Sequence, residues 1–313
     1  MQKIILSFGE TLWDLLPTCA KLGGAPFNFV YRTNCLGERG IMVSRLGRDE
    51  LGEQAMKMIR KLGMNTTHIQ WDSERPTGTV KVSFDEDNSP DYVIIPKVAY
   101  DYIEITDELL AVAAEADCLC FGTLIQRNCQ SRQVLNQVIE AADRAIKLLD
   151  INLRRDCYSL DTVTASLEKA DVLKLNDDEA GQLADMLELR SSCIHKISEE
   201  LVGRYHLACC VVTLGDRGAF ASYADGAKVY IPGYKVKLVD ALGCGDAFTA
   251  GFIHKYLRGA SLGQCCRYGN AMGAIVATQQ GGTAPVSEND VSDFMASDRR
   301  RIFEPTTLEF AIE

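Results

Sequence analysis

The sequence contains no apolar run that approaches the roughly 18 residues of a membrane-spanning helix. Its N-terminal apolar stretch, residues 4–8, is too short for a signal peptide and is followed by an acidic residue, so we interpret it as a first buried strand. Basic residues number 33 against 43 acidic ones, and the resulting net charge of −10 disfavours a nucleic-acid partner. The one dense basic run, residues 299–301, is interpreted as a solvated helix end. These features predict a cytoplasmic protein that binds neither membranes nor nucleic acid.

Metal-binding and disulfide patterns are also missing. The chain has no C-x-x-C pair, and its 4 histidines are scattered, so no zinc site is predicted. Several of the 12 cysteines lie inside apolar runs such as residues 207–212, where a thiol behaves as a small apolar group. A chain of 313 residues can bury a large core without covalent links, so we expect reduced thiols.

The common nucleotide-binding fingerprints are absent. Gly9, after the first strand, does not begin a G-x-G-x-x-G motif, and no G-x-x-x-x-G-K-[S/T] or H-R-D motif occurs. The sequence therefore gives no support for a dinucleotide-binding fold, a P-loop protein or a protein kinase.

Short apolar runs alternate with longer amphipathic runs along most of the chain. The predicted strands are residues 41–46, 117–121, 148–151, 172–175 and 208–214. The predicted helices are residues 26–36, 52–62, 131–147, 178–187 and 197–205. The first two of these helices are followed by Gly37 and Gly63, typical helix-terminating glycines. Alternation of this kind predicts an α/β fold with a parallel sheet covered on both faces.

One region departs from this pattern. Residues 77–84 alternate polar and apolar side chains, residues 85–88 form a predicted turn, and residues 92–95 are again apolar. This pattern predicts a β-hairpin with one apolar and one solvated face. Such a hairpin could be an edge ornament, a dimer surface or a lid. We expect the last twenty residues to form a short helix and a tail.

The segment at residues 240–248 (DALGCGDAF) carries the most chemical information. Two glycines precede Asp246 at the start of a helix-like run, which places backbone N–H groups and the helix dipole where an anion can bind. Asp246 could cap that helix, or it could act as a general base for an attacking hydroxyl. The residues alone leave both roles open.

This segment is one of two signatures by which the chain resembles the ribokinase-like (PfkB) carbohydrate kinase family over nearly its whole length. The family's D-T-x-G-A-G-D-x-F pattern is matched by residues 240–248, and its N-terminal signature by residues 23–28 (GGAPFN), with Gly37 and Gly47 at the family spacing. The chain departs from the family at Ala241, where threonine is usual, at Cys244, where alanine is usual, and at Val30, where a small residue is usual.

The resemblance implies a three-layer α/β/α fold with a mainly parallel central sheet and a small β-sheet lid. It also implies Asp246 as general base, with an anion hole formed by the N–H groups of Gly243, Cys244 and Gly245. Cys244 retains the N–H group that such a hole needs. Ala241 removes a hydroxyl near the place where relatives bind a monovalent cation, for which the matching positions here are Asp240 and Leu242.

The resemblance further assigns residues to ATP and Mg²⁺. Asn176 and Glu179 match an N-x-x-E element that organises magnesium and phosphates through water in relatives, although the same pair could form a helix capping box. The remaining ATP-binding positions carried over are Thr213, Gly215, Gly218 and Asn270. The two glycines could otherwise be turn residues, and a mid-helix asparagine usually faces solvent.

The sugar site is assigned in the same way. The polar pocket implied by the family consists of Asp14, Gly23, Gly24, Asn28, Asn152 and Arg154. Asp14 could otherwise be an exposed loop acid. Arg154, in a D-x-N-x-R stretch, could bind a substrate carboxylate, hydrogen-bond a neutral sugar or form a structural salt bridge.

Together these matches predict a single kinase domain, residues 1–313, with lid segments around residues 12–22 and 69–98 that could also form a homodimer contact. The expected reaction is ATP-dependent phosphorylation of a primary hydroxyl on a small sugar. The form of the N-terminal signature favours fructose, as in bacterial fructokinases, with 2-keto-3-deoxygluconate as the alternative sugar. A family member that binds sugar or nucleotide without turnover is the third hypothesis.

Overall fold

The structure, a computed structural model, describes residues 1–15, 19–84, 90–281 and 283–310. The strands are β1 Ile4–Phe8, β2 Leu12–Leu15, β3 Ala20–Gly23, β4 Arg39–Gly47, β5 Ile69–Asp72, β6 Gly78–Phe84, β7 Pro90–Ile94, β8 Cys118–Phe121, β9 Ile146–Asp150, β10 Val172–Asn176, β11 Cys209–Thr213, β12 Ala219–Tyr223, β13 Lys228–Ile231, β14 Gly233–Tyr234 and β15 Arg301–Ile302. The helices are α1 Ala25–Cys35, α2 Glu50–Lys61, α3 Asp107–Ala114, α4 Cys129–Ala141, α5 Leu160–Leu167, α6 Asp177–Met186, α7 Ile194–Tyr205, α8 Cys244–Tyr256, α9 Leu262–Ala277 and α10 Glu288–Ala296.

A 9-stranded sheet in the order β13-β12-β11-β10-β9-β8-β1-β4-β5 forms the centre of the molecule. The seven strands from β11 to β5 in this order are parallel to one another. At the β11 edge, β12 pairs antiparallel with β11, and β13 pairs antiparallel with β12. Successive side chains of a strand point to opposite faces. In β10, Leu173 and Leu175 pack with helices α3 to α7, whereas Val172 packs on the other face with α1, α2, α8 and α9. The expected α/β architecture with helices on both faces is confirmed.

The buried thiols follow the same alternation. Cys209 and Cys210 in β11 are fully buried and contribute one thiol to each face of the sheet. Burial raises the pKa of Cys210 to about 12. All 12 cysteines are free thiols.

A 4-stranded small sheet, in the order β3-β2-β6-β7, stands beside the central sheet. The predicted hairpin strands are confirmed as the antiparallel pair β6 and β7, and the predicted turn at residues 85–88 lies outside the described residues. β2 joins β6 in parallel and β3 antiparallel. The segment from Ile69 to Asp72, predicted to belong to the lid, instead extends the central sheet as β5.

Two other expectations were wrong. The helix predicted at residues 131–147 ends at Ala141, because Ile146 already begins β9, which forms hydrogen-bond ladders with β8 and β10 on its two sides. The basic run at residues 299–301 is not a helix end, since α10 stops at Ala296. Arg301 lies in β15, and its guanidinium carbon is 3.6 Å from the ring centre of Tyr234, a cation–π contact.

The last twenty residues contain the expected short helix, and residues 311–313 lie outside the described part of the chain. A 3-10 helix, Pro305–Phe310, follows β15. Among the residues that the structure describes, no helix combines the length and the apolar character needed to cross a bilayer.

Candidate active site

The carboxyl ends of the parallel strands meet at one edge of the central sheet, where open α/β sheets bind their ligands. A cavity at this edge is lined by Glu10 after β1, Gly122 and Thr123 after β8, Asp150 and Asn152 at the end of β9, and Phe29 of α1. The adjacent strands end at Asn176 and Thr213, which are paired across β10 and β11. Three of the predicted site residues, Asn152, Asn176 and Thr213, therefore lie along one edge of the central sheet.

The N-terminal signature shapes the entry to α1. Gly24 has a φ of 112°, and a Cβ at this position would lie 2.5 Å from the carbonyl oxygen of Glu10, so only glycine fits. Asn28 follows in the first turns of α1 and is only 4% exposed. Its Nδ2 donates a 2.9 Å hydrogen bond to Oδ2 of Asp246 in α8. This bond joins the two signatures, which are 218 residues apart in the chain.

The second signature forms the start of α8. Gly243 is the N-cap residue, with a φ of 76°, and no side chain caps the helix. Within the described residues, the N–H groups of Gly243 and Gly245 have no acceptor, whereas that of Cys244 makes a long 3.3 Å contact with the Ala241 carbonyl. Unpaired N–H groups at a helix start are a ready anion-binding site.

Asp246 does not act as the cap of its helix, because the hydrogen bond of its carboxylate is to Asn28. Burial, together with the nearby Asp150 carboxylate, raises the pKa of Asp246 to about 6, against the opposing effects of Asn28, Lys174 and Arg154. The structure therefore does not support the alternative in which Asp246 only caps helix α8. A carboxylate with a pKa this close to neutrality suits a general base.

A buried ion pair lies beneath Asp246. Nζ of Lys174 is 3.0 Å from Oδ1 of Asp150, its directly opposite residue in the paired strands β10 and β9. The hydroxyl of Thr249 lies 3.0 Å from Oδ2 of Asp150 and 2.9 Å from the Gly245 carbonyl. Burial lowers the pKa of Lys174, but the carboxylates of Asp150 and Glu179 more than offset this and keep the ammonium charged.

Asn176 and Glu179 form a complete capping box at the start of α6. Oδ1 of Asn176 accepts from the N–H of Glu179 at 2.7 Å, and Oε2 of Glu179 accepts from the N–H of Asn176 at 2.8 Å. Oε1 of Glu179 also accepts from the N–H of Leu153 at 3.0 Å. Because both carboxylate oxygens already hold backbone groups, this pair suits a Mg²⁺ ion that keeps its own water shell. No group of three possible metal-ligating side chains occurs in residues 1–15, 19–84, 90–281 and 283–310.

Glu10 and Asp14 share Arg154 as an electrostatic neighbour. A Cβ added at Gly23 would lie 3.1 Å from Oδ2 of Asp14, whose cross-strand partner in the small sheet is Lys21. Burial raises the pKa of Asp14 and raises the pKa of Glu10 to about 7. The positive charge of Arg154 opposes both increases. Arg154 is exposed and makes no ion pair with any residue that the structure describes.

The remaining residues predicted to bind ATP lie at or near the β11–β12 turn. Thr213 ends β11, and its hydroxyl donates to the carbonyl of Leu175 at 3.3 Å. Gly215 begins the 3-10 turn, and a Cβ on Gly218, where φ is 102°, would lie 2.1 Å from the carbonyl oxygen of Ile231. Asn270 donates to that same carbonyl at 3.0 Å, so this mid-helix asparagine is buried rather than solvent-facing.

Sequence reasoning did not single out Glu10, Asp150 or Lys174. Lys174, which lies between Leu173 and Leu175 in β10, was the available signal for the buried pair. Its partner could not be identified without knowing that β9 and β10 are neighbours.

A model of the pfkB family carbohydrate kinases matches residues 19–289 of the chain, which include both signatures. The chain belongs to the pfkB carbohydrate kinase family.

Individual relatives agree with this membership. Fructokinase-1 of Zea mays is 25% identical over 307 residues, covering 90% of this chain and 93% of the relative. The fold is similar to that of a fructokinase from Xylella fastidiosa solved with bound ATP, with a TM-score of 0.83, 23% identity, and coverage of 94% of this chain and 98% of that one. It is also similar to a double mutant of a Vibrio cholerae fructokinase in a form with fructose, ADP and potassium bound, with a TM-score of 0.79, 22% identity, and coverage of 94% and 98%.

Proposed function

We propose that this sugar kinase transfers the γ-phosphoryl group of ATP to a primary hydroxyl of a small sugar, with fructose as the first candidate. The hydrogen bond between Asn28 and Asp246 supports this most directly. It brings the sugar-side helix α1 against the helix that begins with the anion-binding glycines. A hydroxyl held by Asn28 would lie beside both the base and the phosphoryl group.

In the proposed reaction, Asp246 accepts the hydroxyl proton as the sugar oxygen bonds to the γ-phosphorus and the bond from that phosphorus to the β-phosphate oxygen breaks. ADP leaves with the electron pair of that bond. The pKa of about 6 leaves Asp246 ionised at neutral pH and still basic enough to take the proton.

The charge on the transferring group is stabilised by backbone N–H groups. Those of Gly243 and Gly245 are unpaired in the described chain and can bind the phosphoryl oxygens at once. Cys244 must first give up its long contact with Ala241. Bound Mg²⁺ would neutralise phosphate charge, and Glu179 and Asn176 would orient its water molecules from the capping box.

The ligand positions follow from the same sheet edge. Asp14, Asn28, Asn152 and the backbone at Gly23 and Gly24 would bind the sugar hydroxyls. Thr213, Gly215, Gly218 and Asn270 would line the nucleotide side. The small sheet would cover the sugar as a lid and provide a homodimer contact.

The identity of the sugar depends on Arg154. Since it makes no described ion pair, it is available to a substrate, and it could bind the carboxylate of 2-keto-3-deoxygluconate. Three acids, Glu10, Asp14 and Asp246, are electrostatic neighbours of Arg154 and oppose a second negative charge. This balance, with the fructokinase names of the relatives, favours neutral fructose and keeps the sugar acid as second candidate.

The test is ADP release with Mg-ATP and a panel of fructose, ribose, tagatose, 2-keto-3-deoxygluconate and adenosine. Release with fructose alone supports the proposal. Release with the sugar acid alone would assign Arg154 to the carboxylate. Folded protein that binds ATP and turns over none of these sugars would leave either an untested substrate or the binding-protein hypothesis.

The role of Asp246 is tested with Asp246→Asn. We expect turnover to fall by about 10²–10⁴, the usual contribution of a general base, with little change in sugar affinity measured by calorimetry. Full turnover in this variant would exclude Asp246 as the base.

A further inference from the structure

Asp240, which begins the second signature, is surrounded by hydrogen-bond donors. Its Oδ1 accepts from the N–H of Leu242 at 3.0 Å, and its Oδ2 accepts from the N–H of Gly281 at 3.0 Å. The Nζ of Lys21 is also 3.0 Å from Oδ2, in an ion pair whose side chains are only 29% and 22% exposed. Burial would raise the pKa of Asp240, but these donors hold it below its usual value.

The family resemblance predicted a monovalent cation at Asp240 and Leu242. A K⁺ site is built from oxygen atoms that replace the water around the ion. Here the described donors occupy both carboxylate oxygens of Asp240, and the Cys244 thiol lies 3.7 Å from its carbonyl oxygen. One of these donors, the Lys21 ammonium, already carries the positive charge that the ion would bring. The arrangement does not fit a bound K⁺ ion.

We infer that Lys21 takes the place of the monovalent cation, so that the kinase works without K⁺. The inference rests on the proposed function and adds a positioning residue to it. Lys21 lies in β3 of the small sheet, whereas Asp240 lies 219 residues later, just before the anion-binding glycines.

The physical benefit is electrostatic. Leu242, which donates to the Asp240 carboxylate, directly precedes Gly243, so an uncompensated charge on Asp240 would oppose the negative charge that develops on the phosphoryl group. Lys21 neutralises that charge and holds the loop in place. Because Lys21 belongs to the small sheet, the conformation of the loop at Asp240 also depends on the position of that sheet.

The experiment compares wild type, Lys21→Met, Lys21→Arg and a control, Lys81→Met, in KCl and in tetramethylammonium chloride at equal ionic strength. Lys81 is an exposed lysine in β6 of the same small sheet. We expect wild type, K21R and K81M to have equal kcat in both salts. K21M should lose about tenfold in kcat in tetramethylammonium and recover much of it in KCl, because K⁺ can enter the vacated position.

Thermal unfolding gives a second readout that needs no turnover. K⁺ should raise the unfolding temperature of K21M and leave that of the wild-type protein unchanged, because an ion stabilises only a folded protein that binds it. The inference would be overturned if K⁺ stimulated or stabilised the wild-type protein. It would also be overturned if K⁺ did not rescue K21M, or if K21M behaved like K81M. Absence of turnover with every sugar would refute the proposed function, while the unfolding temperatures would still decide the role of Lys21.

Discussion

Two carboxyl groups of the candidate site titrate near neutrality. The pKa is raised to about 6 for Asp246 and to about 7 for Glu10, in both cases chiefly by burial. Asp246 must be deprotonated to accept a proton, so protonation removes activity. We expect kcat/KM to fall about tenfold for each pH unit below about 6 and to level off above it, as measured in a constant-ionic-strength buffer series.

Glu10→Gln separates the two acids. If Asp246 is the titrating base, the acid limb remains in E10Q close to its wild-type position, because Glu10, with a pKa of about 7, is already mostly protonated at the pH where Asp246 titrates. Disappearance of the acid limb in E10Q would identify Glu10 as the titrating group and contradict the assignment.

Glu179 combines a structural and a proposed functional role, which a matched substitution can distinguish. Glu179→Gln should raise the Mg²⁺ concentration for half-maximal rate several-fold, because an amide orients the water around the ion less well than a carboxylate.

The control for Glu179 is Asp290→Asn, which makes the same change from acid to amide at the same position of another capping box, that of Ser287 in α10. It should leave the Mg²⁺ titration unchanged, because Asp290 lies in a capping box with no proposed role in binding. Identical titrations for wild type and E179Q would count against the magnesium role.

At the scale of elements, the connection between β3 and α1 depends on Gly24. Gly24→Ala would force a Cβ into the Glu10 carbonyl at a φ of 112°, and we expect a loss of about 1–3 kcal/mol in urea unfolding. Sugar KM should rise as well, since the entry to α1 must shift.

Gly181→Ala provides the contrast. This glycine is exposed in α6, and an added Cβ would meet nothing within 4 Å, so the variant should gain about 0.5–1 kcal/mol. Equal stabilities for G24A and G181A would show that the strain at Gly24 is not real.

The elements also show what sequence alone can predict. Strand and helix order and the position of each signature at a strand end could be predicted, because they depend on local periodicity and on short motifs. The Lys174–Asp150 and Lys21–Asp240 pairs could not, since each requires knowing which distant strands or loops are neighbours. The early end of α4 was missed for a related reason, as its last predicted residues are recruited into β9 by strands on both sides.

At the scale of the whole molecule, the proposed lid role of the small sheet predicts that its contact with the main body limits the hydrolysis of ATP by water. Trp13 in β2 is 4% exposed, and its Nε1 donates to the Leu51 carbonyl of α2 at 3.0 Å. Trp13→Phe removes this bond and keeps most of the packing. We expect sugar KM to rise several-fold and ADP release to exceed sugar-phosphate formation, because water would enter a looser site.

Trp71→Phe is the matched control, as Trp71 lies half-buried in β5 of the central sheet. In W71F, the ratio of ADP released to sugar phosphate formed should remain one. A ratio of one in W13F as well would argue against the small sheet as the barrier to water.

The distribution of the free thiols makes such motion measurable. Cys19, beside β3 of the small sheet, and Cys129, at the start of α4, are exposed, and Cys193 is the other exposed cysteine of the described chain. Burial, with Asp246 and Asp240, raises the pKa of Cys244 to about 11, which keeps it protonated and slow to react with maleimides at neutral pH. After a Cys193→Ser change, a pair of dyes on Cys19 and Cys129 would report by energy transfer on how far the small sheet moves when a sugar binds.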